Sequence, residues 1–134
     1  MSELTGGCLC GGVRFRVTEG PLGARYCHCK HCQRRTGTAF SLSAGVPASG
    51  FEILQGAELI RSFQPPGGSP KAFCERCGGH LYAGDPADGA VHVRFGAFDT
   101  DPGVRADLHQ YVDSKAAWDV LPDDGLPRYG GRRP

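Results

Sequence analysis

Seven cysteines stand in three short clusters: Cys8 and Cys10 as C-x-C, Cys27, Cys29 and Cys32 as C-x-C-x-x-C, and Cys74 and Cys77 as C-x-x-C. None stands alone. Such spacings aim thiols at one point, because alternate strand residues face the same way and the two ends of a tight turn converge. An odd count leaves one thiol over in any disulfide framework. An iron–sulfur cluster also takes four thiolates, but the longer ferredoxin run of cysteines is missing. Soft, closely spaced thiolates suit Zn(II), which needs no redox chemistry and accepts a tetrahedral ligand set.

Seven thiolates divide into four and three. The central cluster is already a compact triplet, so Cys8 and Cys10 pair with Cys74 and Cys77 in a closed four-thiolate site. That site would join chain segments some 64 residues apart, where a cross-link helps folding most. The triplet of Cys27, Cys29 and Cys32 then holds a second ion with one coordination position left to a non-protein ligand, the pattern of a catalytic zinc. The alternative is closure by His28 or His31, which would make that site purely structural. A labile thiol store for redox switching is a further alternative.

Short strands joined by turns must position these clusters, because 21 Gly and 10 Pro in 134 residues interrupt long helices. Val13, Phe15 and Val17 alternate with charged residues, predicting a half-buried strand after the first C-x-C. Phe40 to Val46, Phe51 with Ile53, Leu59 to Phe63, Lys71 to Phe73, Leu81 with Tyr82, Val91 to Phe95 and His109 to Val112 predict further strands. Lys30 to Arg35 predicts a short helix ending near Gly37, and Gly78 suits the left-handed position of a zinc knuckle. Gln64 to Pro70 reads as an exposed loop. Ala116 to Leu121 reads as a helical turn with Trp118 facing the core, and Pro122 to Pro134 as an extended surface tail. His80, His92 and His109 read as structural or surface residues. The expected class is mostly β, in one domain over 1–134 with its core at about 6–129.

Composition narrows the function. The net charge is +1 from 15 basic and 14 acidic residues, which excludes bulk nucleic-acid binding. No apolar run approaches the roughly 20 residues that cross a bilayer. Met1 to Thr5 lacks the basic and apolar parts of a secretory leader, so a reducing cytoplasm is the expected compartment.

The runs G-G-C-L-C-G-G-V-R-F, Y-C-H-C-K-H-C-Q-R-R-T-G, F-C-E-R-C-G-G-H-L-Y, L-H-Q-Y-V-D-S-K-A-A-W and D-D-G-L-P-R-Y occur in order from Gly6 to Tyr129. In these the chain resembles the glutathione-dependent formaldehyde-activating enzyme family, with its centromere protein V branch. The resemblance implies an Mss4-like fold of short antiparallel sheets with zinc-binding turns. It implies two zinc ions per chain: a structural one on Cys8, Cys10, Cys74 and Cys77, and a more labile one on Cys27, Cys29 and Cys32. It also implies a carbon–sulfur lyase that interconverts formaldehyde and glutathione with S-hydroxymethylglutathione. Lys30, Arg34 and Arg35 are then candidates for attracting the carboxylates of glutathione, and His28 and His31 for relaying a proton. Lys30 and His31 stand where the family more often has a small polar residue and an acid, and Ala117 where a proline usually precedes the tryptophan. A non-catalytic zinc module acting through a protein partner is the alternative function.

Overall fold

The computed structural model describes residues 3–134. Ten strands and one α-helix follow in the order β1 (Leu4–Gly7), β2 (Arg14–Val17), β3 (Ala24–Cys27), α1 (Lys30–Thr36), β4 (Ser41–Pro47), β5 (Phe51–Gln55), β6 (Ile60–Phe63), β7 (Lys71–Cys74), β8 (His80–Ala83), β9 (Ala90–Arg94) and β10 (His109–Gln110). They form a three-stranded sheet, β1-β2-β5, and a seven-stranded sheet, β10-β3-β4-β9-β8-β7-β6. The pairs are antiparallel except β10 on β3, a parallel pair that makes the larger sheet mixed. Among the described residues no helix is long and apolar enough to cross a membrane.

The core lies between the sheets, as period-two patterning requires. Val13, Phe15 and Val17 are fully buried beside Val46, Val91 and Val93 of the larger sheet. The ring of Phe15 meets that of Phe98 edge-on with centroids 5.9 Å apart, and Phe51 meets Tyr82 likewise at 5.1 Å. Each such aromatic side chain contributes about 1.5–3 kcal/mol by leaving water. The strand partners fix the register: Ser43 opposes Arg94 and Ala44 opposes Val93. One face of the larger sheet therefore carries Ala44, Val46, Val91 and Val93 into the core. Its other face carries Ser41, Ser43, His92 and Arg94.

The C-terminal part departs from expectation. No helix forms over 116–121; Asp119 N–H reaches the Ala116 carbonyl in a simple turn, and Lys115 Nζ donates to the carbonyls of Ala116 and Asp119. Ala116 is the residue that turns inward, while Trp118 is 73% exposed rather than in the core. A lysine holding carbonyls that a helix would need for itself accounts for the turn. Strand β10 is shorter than expected because Tyr111, directly after it, takes the left-handed conformation at φ +59°. The tail docks alongside, with His109 N–H donating to Pro127 and Tyr129 N–H to His109, so the expected extended surface run is held to β10 and to the segment after it over residues 127–131.

Phe15→Ala is expected to cost about 3–5 kcal/mol, the range for deleting a buried aromatic ring. Trp118→Ala should stay within about 0.5 kcal/mol of the parent, as for exposed positions. Urea unfolding midpoints of the two variants measure both.

Candidate functional site

Cys8 and Cys10 sit in the turn from β1 to β2, Cys74 ends β7, and Cys77 lies in the turn to β8. Their four Sγ atoms lie within 4.8 Å of one another, with Cys8–Cys10 at 3.6 Å and Cys10–Cys74 at 3.9 Å. Tetrahedral ligands about 2.3 Å from a zinc ion stand about 3.8 Å apart, so the spacing suits such an ion. Backbone amides support the sulfurs: Val13 N–H donates to Cys8 at 3.2 Å and Gly79 N–H to Cys77 at 3.4 Å. Amides of Cys10 and Gly79 pull the Cys77 thiol down to about 6. Gly78 has φ +74°, the left-handed turn expected of it, and a Cβ on Gly79 would come within 3.3 Å of the Cys77 sulfur. The knuckle is built tightly around the thiols, and because β1–β2 and β7–β8 belong to different sheets, it clips the two sheets together.

The triplet is assembled at the end of β3. Cys27 is the last residue of that strand, Cys29 caps α1, and Cys32 lies in its first turn. Cys29 Sγ accepts from Cys32 N–H at 3.4 Å, an N-cap made by sulfur. Gly37, in the left-handed region, closes the helix where expected. The three Sγ atoms also lie within 4.8 Å of one another. Hydrogen bonds from Cys27 and Cys29, then from the Ser41 hydroxyl at 3.1 Å, and the nearby Arg94 charge push the Cys32 thiol down to about 2. Cys27 moves the opposite way, because it keeps the shared proton for its neighbours and is buried. Both clusters can hold a metal ion.

Neither nearby histidine joins the triplet; among the described residues its only ligating atoms are the three sulfurs. His28 is buried and points elsewhere: its Nε2 lies 2.9 Å from His109 Nδ1, and His109 Nε2 lies 2.8 Å from Asp124 Oδ2. The carboxylate accepts from His109 Nε2–H, so His109 Nδ1 accepts from His28 Nε2–H. Burial and then the His109 ring push His28 down. His31 is exposed and lies under the loop at Gly68. His109, read from the sequence as structural or surface, is buried and structural, bonding His28 on one side and the more exposed Asp124 on the other. Its partner Asp124 belongs to the D-D-G-L-P-R-Y run of the sequence, but no role is legible for it there.

The triplet opens into a cavity of about 1250 Å³ whose floor is the polar face of the larger sheet. Arg25 opposes Ser43, Cys27 opposes Ser41, His92 opposes Gly45, and Lys71 opposes Ala83, so register places them side by side on that floor. Lys30, His31 and Gly67–Ser69 contribute from α1 and the loop before β7, and Arg132–Pro134 from the tail. Of the three basic residues singled out in the sequence, Lys30 lines the cavity. Arg34 is exposed on α1 and lines no part of it, while Arg35 donates to the Ala72 carbonyl at 2.8 Å. Arg25, Lys71 and Arg94 were not singled out, and His92 was read as structural or surface, although alternation with core residues places them on the non-core face.

The floor is strongly electropositive. Burial, then the charges of Arg25, Arg94 and Lys71, pushes His92 down to about 4. Unfolded, this imidazole binds a proton near 6.5, so the unfolded state takes up more protons as pH falls from about 6.5 to about 4. Stability is therefore expected to fall over that window, and less steeply in His92→Asn. Urea midpoints at several pH values compare the two slopes.

A sequence profile described as glutathione-dependent formaldehyde-activating enzyme matches residues 3–114. A Halomonas elongata protein, named provisionally for the same activity, is 31% identical over 128 residues, covering 86% of this chain and 78% of its own length. A Sordaria macrospora protein with the same provisional name is 29% identical over 72 residues, 54% of this chain but 30% of that protein. In three dimensions the fold is similar to a crystal structure of a Rhodobacter sphaeroides protein, with a TM-score of 0.60 at 22% identity over 93% of this chain and 98% of the other. The profile match runs through both thiol clusters, and with the bacterial relative beside it the chain belongs to the glutathione-dependent formaldehyde-activating enzyme family.

Proposed function

We propose that this protein is a zinc-dependent carbon–sulfur lyase that joins a small thiol, glutathione in the first instance, to formaldehyde, and catalyses the reverse. The observation that carries the reading is a three-thiol cluster with no fourth protein donor among the described residues, set at one end of a large cationic cavity. Zinc on Cys8, Cys10, Cys74 and Cys77 would be structural. Zinc on Cys27, Cys29 and Cys32 would bind the substrate sulfur and lower its pKa, making thiolate available at neutral pH.

The chain's own residues supply the remainder. Cys29, as the cap of α1, fixes the helix start to the triplet, and the Ser41 hydroxyl holds the Cys32 sulfur in place. In the forward reaction the substrate sulfur forms a bond to the aldehyde carbon. The carbonyl π pair moves to oxygen, and the proton released by the thiol ends on that oxygen as the hydroxymethyl group. The cationic floor favours an anionic thiol over a neutral one, and holding it beside the aldehyde adds the proximity effect. Of the two candidate histidines beside the triplet, His31 lines the cavity, so a proton relay to solvent would run through it rather than through buried His28. A reducing cytoplasm, in which all seven thiols stay free, fits this chemistry.

Two outcomes test the assignment. Cys29→Ser should lose about one zinc per chain by elemental analysis and with it the accelerated interconversion of glutathione and formaldehyde seen by exchange NMR, while the circular dichroism spectrum is kept. Retention of both ions with full turnover would overturn it. Cys77→Ser should instead give unfolded or insoluble protein, because it opens the clip between the sheets.

A further inference from the structure

Gln110 ends β10 and is buried at 7% exposure, yet it borders the cavity. Register pairs it in parallel with Cys27, which in turn opposes Ser41 on β4. Partnered residues of neighbouring strands share a face, and the strands stand about 4.8 Å apart. Gln110, Cys27 and Ser41 therefore form one row across three strands, on the cavity side of the larger sheet. The preceding row, His109 with Tyr26, turns to the opposite face, where the two rings stack at 4.7 Å.

The carboxamide of Gln110 is not engaged by the protein. Among the described residues it makes no hydrogen bond, and neither its Oε1 nor its Nε2 is sealed from solvent. Nearby Gln33 is the contrast: its Nε2 donates to the carbonyls of His28 and Ser114. Ser41 is occupied as well, by Cys32. The backbone of Gln110, by comparison, is held firmly. Its carbonyl accepts from His28 N–H, between two triplet cysteines, at 3.0 Å. Tyr111, the next residue, is in the left-handed region, which an aromatic residue adopts only where its surroundings impose it, and its N–H is bonded to Gly131 of the tail. A donor fixed in this way beside the thiols can answer charge that develops next to them without reorganising first.

We infer that the Gln110 carboxamide is a catalytic hydrogen-bond donor to the aldehyde oxygen. As the substrate sulfur bonds to the aldehyde carbon, the carbonyl π pair moves onto that oxygen, and Gln110 Nε2–H donates to it as its charge grows. Gln110 gives no proton away; the proton released by the thiol completes the hydroxymethyl group. In reverse, the same hydrogen bond follows the oxygen while the carbon–sulfur bond breaks. The assignment rests on the proposed lyase reading. The cations of the cavity attract the substrate as a whole, whereas the neutral carboxamide acts on one atom.

Two measurements on the purified, metal-bearing protein test this. Calorimetric titration compares S-acetylglutathione, with a carbonyl oxygen on the carbon bonded to sulfur, and S-isopropylglutathione, with a methyl group in its place. The parent is expected to prefer the carbonyl compound by about 2- to 10-fold, the range of one neutral hydrogen bond. Gln110→Met should show no preference. In exchange NMR the same variant should lower kcat by about 100- to 1000-fold, as for loss of one oxyanion donor, with KM for glutathione little changed and both zinc ions retained. Gln110→Glu, of the same shape but without the N–H, should behave alike and supplies the answer if the methionine variant does not fold. Equal affinity for the two probes in the parent, or a folded variant that keeps the preference or the parental kcat, would overturn the assignment. A parent that shows the preference without turnover would overturn the lyase reading and leave the oxygen contact standing. A parent that neither binds the probes nor turns over would overturn both.

Discussion

Thiolates repel one another, and seven of them gathered into two knots are tolerable only where positive charge or N–H dipoles answer them. The two clusters meet that constraint differently. Around the four-cysteine knot the answer comes from the backbone: tight glycine-containing turns aim the amides of Val13 and Gly79 at sulfur. Such a knot needs no side chain beyond its ligands, which suits a clip whose work is to hold two hairpins from different sheets. Around the triplet one backbone amide, that of Cys32, is joined by side chains, the Ser41 hydroxyl and the Arg94 charge, both presented by the larger sheet. That dependence makes the triplet an extension of the cavity floor, open to chemistry on the same side.

The larger sheet is unusual in being polar and buried on one face. An antiparallel sheet ordinarily turns its polar face to water. Here α1, the loop before β7 and the tail roof that face over, so Arg94 is removed from solvent and His92 is held down near 4 by the cations beside it. Desolvation raises the strength of every charge interaction in the cavity.

Much of this was legible in the sequence, and what was not has a common cause. The division of the cysteines, the strands around Phe15 and Val93, the helix ending at Gly37 and the turn at Gly78 are local patterns, readable from spacing and periodicity. Trp118 read as core because a large apolar residue in an apolar run is usually buried; the competing fact, Lys115 holding the carbonyls of the turn, depends on a side-chain conformation no pattern encodes. Arg94 and Lys71 were visible as non-core residues, but whether a non-core face meets water or a roof is decided by distant segments. The His28–His109–Asp124 chain joins residues 81 and 15 positions apart, beyond any local period.

That chain also explains how the end of the polypeptide reaches the site. The family match stops at residue 114, yet Asp124 orients His109, and His109 N–H and C=O hold the tail at Pro127 and Tyr129. The docked tail then brings Arg132 and Arg133 to the cavity wall. His28, the residue between two triplet cysteines, is thus tied through one buried imidazole to the segment that closes the cavity. The thiol triplet and the cavity wall are held in register by hydrogen bonds rather than by apolar packing, which explains how a histidine pair that lines no part of the cavity shapes it. The D-D-G-L-P-R-Y run carries the family resemblance past that match into this same segment, through Asp124, Pro127 and Tyr129. Three sulfurs on β3 and α1 thus share one cavity with charges that the tail and the polar sheet face present around them.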